Sequence, residues 1–175
     1  MARRNPTLPC FLDFEASSLR PRSYPIEVAW SLGDGSVESH LIDPRPVPEW
    51  NDWDPVAETE IHHITPGQLH SEGRTPTWVA GRMNSVLQGL RLYTDAPDWD
   101  GFWLQVLFQA AGMEPAFTLA AAQALWFTEL AGGPDCNRRL HELDQQARAR
   151  SAGPRHRAAN DVRHFIELYR LCRKE

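Results

Sequence analysis

Lysine is almost missing from this 175-residue sequence: 17 of its 18 cationic side chains are arginine, and the single lysine is Lys174. Cysteine is scarce too. Cys10, Cys136 and Cys172 are odd in number, far apart and never in a C-x-x-C pair, which argues against both a disulfide framework and a zinc ribbon. They read as packing or surface residues. No apolar run approaches the roughly 20 residues a membrane span needs, because the longest, 117–131, is broken by Thr118, Gln123, Thr128 and Glu129. Arg3 and Arg4 are followed by no apolar stretch of the secretory kind, so the expected location is the cytoplasm, with no membrane partner. Internal repeats and low-complexity tracts are absent. With 42% hydrophobic and 23% charged residues, the composition excludes disordered, collagen-like and coiled-coil chains. The length suits one domain over 1–175 and excludes an (α/β)8 barrel of about 250 residues.

The net charge of −5 would ordinarily count against a nucleic-acid partner, since phosphate contacts supply most of such affinity. The charge is unevenly placed, however. Residues 1–137 carry 8 arginines and 18 acids, whereas residues 138–175 carry 10 cations and 5 acids. The C-terminal fifth is basic, and arginine's planar fork suits bidentate phosphate contact. The same bias also fits cations gathered at helix C-termini.

Hydrophobic periodicity predicts strands at Pro9 to Ala16, Ile26 to Leu32 and Val37 to Ile42, with Gly33-Asp34-Gly35-Ser36 as the turn between the last two. Residues 43–60, rich in Pro, Asp and Glu, read as mostly irregular. Thr75-Pro76 reads as a cap and first helical residue, opening a helix that runs to about Gly89. A short strand over Leu90 to Thr94 follows, then a helix from Trp99 to Ala111 stopping at Gly112. A fifth strand is expected near Ala116 to Leu119, with helices over Ala120 to Leu130, Asn137 to Arg150 and Ala158 to Leu171. Three strands, then helices and strands in alternation, predict an α/β fold: a mixed sheet of about five strands with an antiparallel edge and helices on both sides.

Asp13 and Glu15 fall on one face of the first strand among Phe11, Leu12 and Phe14. Two like charges near a sheet centre repel and desolvate together. A divalent cation between them resolves the conflict, and hard oxygen ligands select Mg²⁺ or Mn²⁺. A surface edge strand with two outward acids is the other reading. A second acidic cluster, Asp95, Asp98 and Asp100, sits where a strand gives way to a helix, a place where aspartate also serves as a cap. In the third segment His156 precedes the last helix and Asp161 lies in its first turns, so an imidazole on the loop is able to swing toward that carboxylate. His62, His63 and His70 lack a cysteine or third spaced ligand for zinc, and H-E-x-x-H is absent. Gly33-Asp34-Gly35 is no dinucleotide loop, and no G-x-S-x-G occurs.

In chain order these segments resemble the DEDDh family of 3′-to-5′ exonucleases, the RNase H-like group that includes polymerase proofreading subunits, RNase T and oligoribonuclease. The likeness covers almost the whole chain. Asp13-Phe14-Glu15 matches the Asp-x-Glu motif, with Ser17, Ser18 and Leu19 behind it, and His156 to Asp161 matches His-x-Ala-x-x-Asp without a gap. The second-motif aspartate is placed at Asp100 rather than Asp98. Ile61-His62-His63-Ile64-Thr65 resembles the family's Ile-His-Gly-Ile-Thr with histidine for glycine, and Asp95-Ala96-Pro97 stands where many members have a His-Asn segment. The resemblance implies an RNase H-like fold and two Mg²⁺ or Mn²⁺ ions held by Asp13, Glu15, Asp100 and Asp161. It also implies His156 as general base and nucleoside 5′-monophosphates as products from single-stranded DNA or RNA 3′ ends. Leu19, Ser17, His62 and, less directly, Ile64 would meet the terminal nucleotide, and Arg155 and Arg157 its phosphates. Members are often dimers, so a homodimer is a further expectation. The rival readings are a catalytically silent RNase H-like binding module and an endonuclease on the same fold.

Overall fold

The computed structural model describes residues 7–130, 135–151 and 153–174. One five-stranded sheet organises the chain, with strand order β3-β2-β1-β4-β5. β1 (Cys10–Ala16), β2 (Pro25–Ser31) and β3 (Val37–Leu41) form the antiparallel half. β4 (Arg91–Thr94) and β5 (Thr118–Ala121) run parallel to β1. The mixed sheet with an antiparallel edge is therefore the architecture the sequence order implies.

The helices are α1 (Pro55–Ala57), α2 (Pro66–Glu72), α3 (Pro76–Leu87), α4 (Pro97–Ala111), α5 (Ala122–Glu129), α6 (Cys136–Arg150) and α7 (Ala158–Cys172). They cover both faces of the sheet. Because side chains alternate along a strand, Leu12 and Phe14 pack with Val79 and Met83 of α3 and with Leu107 of α4. Phe11 packs on the other side with Phe165 and Tyr169 of α7. This double coverage explains why β1 reads as a nearly continuous apolar run, and it makes Asp13 and Glu15 continue the face that looks at α7.

Several boundaries differ from expectation. β5 begins at Thr118, two residues late, and extends through Ala120 and Ala121, which propensity assigns to a helix. The parallel pairing Tyr93↔Ala120 and Thr94↔Ala121 supplies ladder bonds that override weak alanine preference. α4 starts at Pro97, not Trp99, because the Asp100 N–H already reaches the Ala96 carbonyl at 2.9 Å. Within the stretch read as irregular, Asp54 caps the short α1, and a π-turn over Glu58–His62 follows. α2 has a capping box that the sequence spells as Thr65-Pro66-Gly67-Gln68: Gln68 N–H donates to the Thr65 hydroxyl oxygen, and Thr65 N–H donates to the Gln68 side chain. No helix among the described residues is long and apolar enough to cross a membrane.

Candidate active site

Parallel pairing of β1 with β4 sends the C-terminal ends of both strands to one edge of the sheet, and the carboxylates collect there. Asp13 and Glu15 come from β1, Asp95 from the residue after β4, Asp100 from the first turn of α4 and Asp161 from the first turn of α7. Among the described residues they form two trios, Asp13 with Glu15 and Asp161, and Asp13 with Asp95 and Asp100. In each trio one ligand oxygen per residue lies within 4.8 Å of the others. Asp13 belongs to both.

Asp100 is fixed by its surroundings. It is 1% exposed; its Oδ1 accepts from the Phe14 N–H at 3.3 Å, and its Oδ2 accepts from the Thr94 hydroxyl. These bonds tie α4 to β1 and β4 together. Asp98, two residues earlier, is exposed and joins neither trio.

Glu15 faces a further acid, because the β1–β2 register places Glu27 directly opposite it. Glu27 is answered from the third segment: Arg157 Nε and Nη2 each donate to its carboxylate at 3.1 Å, and the Ala158 N–H donates to Oε2 at 3.1 Å. A carboxylate on β2 thus receives the first N–H of α7 and sets where Asp161 and His156 stand. Arg157, expected from the sequence to meet a phosphate, is here the countercharge of Glu27, with its side chain 37% exposed. Removing it would strand Glu27, which is 2% exposed, without a partner charge.

Burial dominates the electrostatics. It raises Asp13 well above the usual carboxylate range, and Asp100, Glu15 and Asp161 push it further. Glu15 is pushed up to about 9, by desolvation first, then by Asp161 and Glu27, with Arg157 opposing. Asp100, Asp95 and Asp161 are raised for the same leading reason, and His156 holds Asp161 back in part. Such a set holds protons or cations in place of unpaired charge.

The sign of the resulting pH dependence follows directly. Groups whose folded pKa exceeds the unfolded value favour the folded state at low pH, and that contribution is lost as pH climbs from about 4.5 toward about 9. Cation-free protein is therefore expected to melt at a lower temperature at pH 8 than at pH 6. Millimolar Mn²⁺ or Mg²⁺, which competes with the protons, should restore more stability at pH 8 than at pH 6. A hundredfold excess over Kd is worth about 2.7 kcal/mol, or roughly 5–10 °C for a chain this long. Melting curves at the two pH values, with cation and with EDTA, check this. Curves indifferent to both variables would contradict it.

The carboxylates floor a cleft of about 530 Å³. His156 lines it from a left-handed backbone position, φ 58°, and the contact with Asp161 is made by the backbone: the His156 N–H donates to Oδ2 at 2.9 Å. The ring itself is left to the cleft. The same cleft is lined by Leu19, Val56, Ile61 and Trp99, four of the five large hydrophobic residues that are exposed among the described residues. Trp99 lies over Trp103 with ring centroids 5.4 Å apart and planes 26° from parallel.

Leu19 is 70% exposed because the turn before it is pinned from beneath. Ser18 donates to Asp52 at 2.6 Å, and Ser17, fully buried, accepts from the Tyr24 N–H at 3.1 Å. Ser17 is therefore not brought to the cleft, contrary to its expected substrate contact. His62 is brought there. Its Nδ1 accepts from the Ile64 N–H at 3.0 Å and burial pushes its pKa down to about 4, so the neutral ring carries its proton on Nε2. That buried Nε2 has no hydrogen-bond partner among the described residues. Ile64 itself is 1% exposed and packs beside Tyr24, Ile26 and Leu69. His63, standing where the resembled motif has glycine, adopts φ 55° and ψ 25°, so the loop keeps the left-handed conformation that glycine favours. Arg155 is exposed, lines the cleft and makes no ion pair among the described residues.

Two residues of this arrangement escape sequence reasoning. Asp95 reads as a cap, and only the parallel register shows it beside Asp13. Glu27 gives one signal, a charge set between Ile26 and Val28 in an otherwise apolar strand.

No protein-family model matches this chain, and no curated protein matches it. A solved structure does. It is that of a 3′-exonuclease in 3′-end-specific recognition of the histone mRNA stem-loop, with a TM-score of 0.65, 12% identity and 97% of this chain covered. The fold is RNase H-like. This chain spans 64% of that protein's chain.

Proposed function

We propose that this protein is a divalent-cation-dependent 3′-to-5′ exonuclease of the DEDDh type, releasing nucleoside 5′-monophosphates from single-stranded ends. The observation that carries the reading is Asp13 shared between two carboxylate trios in a cleft also lined by exposed apolar side chains. The donor set fits two hard cations: Asp13, Glu15 and Asp161 for one, Asp13, Asp95 and Asp100 for the other. Bound there, Mg²⁺ or Mn²⁺ supplies Lewis acidity to the scissile phosphate and charge stabilisation at the entering and leaving oxygens.

The chain's own residues do the rest. His156 takes the proton of the attacking water, and the Asp161 carboxylate that accepts its backbone N–H keeps the ring beside the acids. Leu19 and Trp99 flank the terminal base, which must be unstacked to enter, and this favours single strands. The His62 Nε2–H donates to a sugar or phosphate oxygen of the terminal nucleotide. Arg155 meets a phosphate at the rim. The likeness to a 3′-exonuclease supports the same reading through its fold. Digestion of matched DNA and RNA oligomers, with and without Mg²⁺ or Mn²⁺, tests it.

A further inference from the structure

Three concavities on the C-terminal side of the protein share lining residues. The cleft and a neighbouring groove of about 230 Å³ have Arg148, Arg155 and Asp161 in common. That groove and a third, of about 320 Å³, have Ser151 in common. The third is lined by Arg150 at the end of α6 and by Arg163 and Arg170 on α7. Residues 163, 166, 167 and 170 recur at helical spacing, so one face of α7 forms its wall.

The charge along this path is lopsided. Arg150 and Arg170 both lean on one acid, Glu167, at 3.3 and 3.8 Å, and Arg163 donates to the amide oxygen of Asn160 at 3.0 Å. Two guanidinium groups thus share one carboxylate, and a third on the same groove bonds, among the described residues, only a neutral amide. The side chains of Arg150 and Arg170 are 50% and 49% exposed, so their remaining N–H donors face solvent. Continuity with the cleft and surplus positive charge select a polyanion as occupant. The absence of exposed aromatic side chains from the third groove selects its backbone rather than its bases.

We propose that the 5′-ward stretch of a single-stranded substrate leaves the cleft past Arg148 and Arg155 and lays its phosphates along Arg150, Arg163 and Arg170. The direction of the strand rests on the exonuclease reading above. From Asp161 to Arg170 is nine residues of α7, about 14 Å at 1.5 Å per residue. Phosphates of an extended single strand lie farther apart than the roughly 3.4 Å axial rise of one strand in a duplex, so that distance takes at most about four of them. Affinity should therefore rise with length beyond a trinucleotide and level off by roughly eight nucleotides.

The test is titration of fluorescent oligomers of roughly 3 to 12 nucleotides at several salt concentrations, in EDTA so that no cleavage intervenes. The proteins are wild type, the triple variant Arg150→Gln, Arg163→Gln, Arg170→Gln, and its triple lysine counterpart. For the glutamine variant the slope of log affinity against log salt should fall by about 2, at about 0.7 per lost contact with a single strand. Its longest-oligomer affinity should fall at least about tenfold near 50 mM salt. Trinucleotide affinity should stay within about twofold, and the lysine variant should keep the wild-type slope. The single variant Arg163→Gln should lower the slope by about 0.7 and serves if the triple variant melts early. A glutamine variant with the wild-type slope and length dependence overturns the track. A wild type that degrades no oligomer in Mg²⁺ or Mn²⁺ overturns instead the reading on which the direction rests.

Discussion

Asp13→Ala is expected to lose cation-dependent cleavage by at least about 10³-fold, a barrier change of about 4 kcal/mol, while its metal-free melting temperature equals or exceeds that of wild type. Asp13 is the one carboxylate common to both trios, so its removal damages both cation sites at once. Removing one member of a mutually repelling set relieves the charge that raises its neighbours. Asp13→Asn, nearly the same size, separates lost charge from lost volume and should be as inactive. Mn²⁺ should no longer raise the melting temperature of either variant as it does for wild type. A near-normal rate in either would remove Asp13 from the site.

His156→Asn should lower turnover by roughly 10² to 10⁴ and leave the melting temperature and oligomer affinity close to wild type. His156 sits at φ 58°, and asparagine is among the non-glycine residues that best tolerate this region. The N–H to Asp161 is a backbone group and survives the change, so the substitution removes a proton acceptor without disturbing the start of α7. If His156 acts only by shaping the loop before α7, the variant instead melts earlier and loses rate only in proportion to the folded protein lost. A melting curve and a turnover rate measured well below the melting temperature on one protein separate the two roles.

What the sequence discloses divides along the range of the interactions involved. The strands around Phe11 and Val28, the Thr75-Pro76 helix start and the Gly112 stop are local matters of periodicity and cap chemistry, and the structure places them within a residue or two. The Asp13-Phe14-Glu15 and His156-to-Asp161 motifs are each compact in sequence, but their grouping across about 150 positions comes from the family resemblance and not from any local signal. Asp95 was not legible, since a parallel register between strands some 80 residues apart leaves no local trace. The Glu27–Arg157 pair spans 130 positions for the same reason. Ser17 and Ser18 differ only in which way their hydroxyls turn, inward to Tyr24 or across to Asp52. That choice is made by the turn after β1, with its shift in strand register between Glu15 and Ala16.

The central claim meets its most direct test in digestion of matched 5′-labelled DNA and RNA single strands, resolved over time with Mg²⁺, with Mn²⁺ and with EDTA. The account predicts a ladder shortening one nucleotide at a time from the 3′ end of at least one polymer, nucleoside 5′-monophosphate as product, and no cleavage in EDTA. Intact oligomers under both cations, or internal cuts without a ladder, would contradict it.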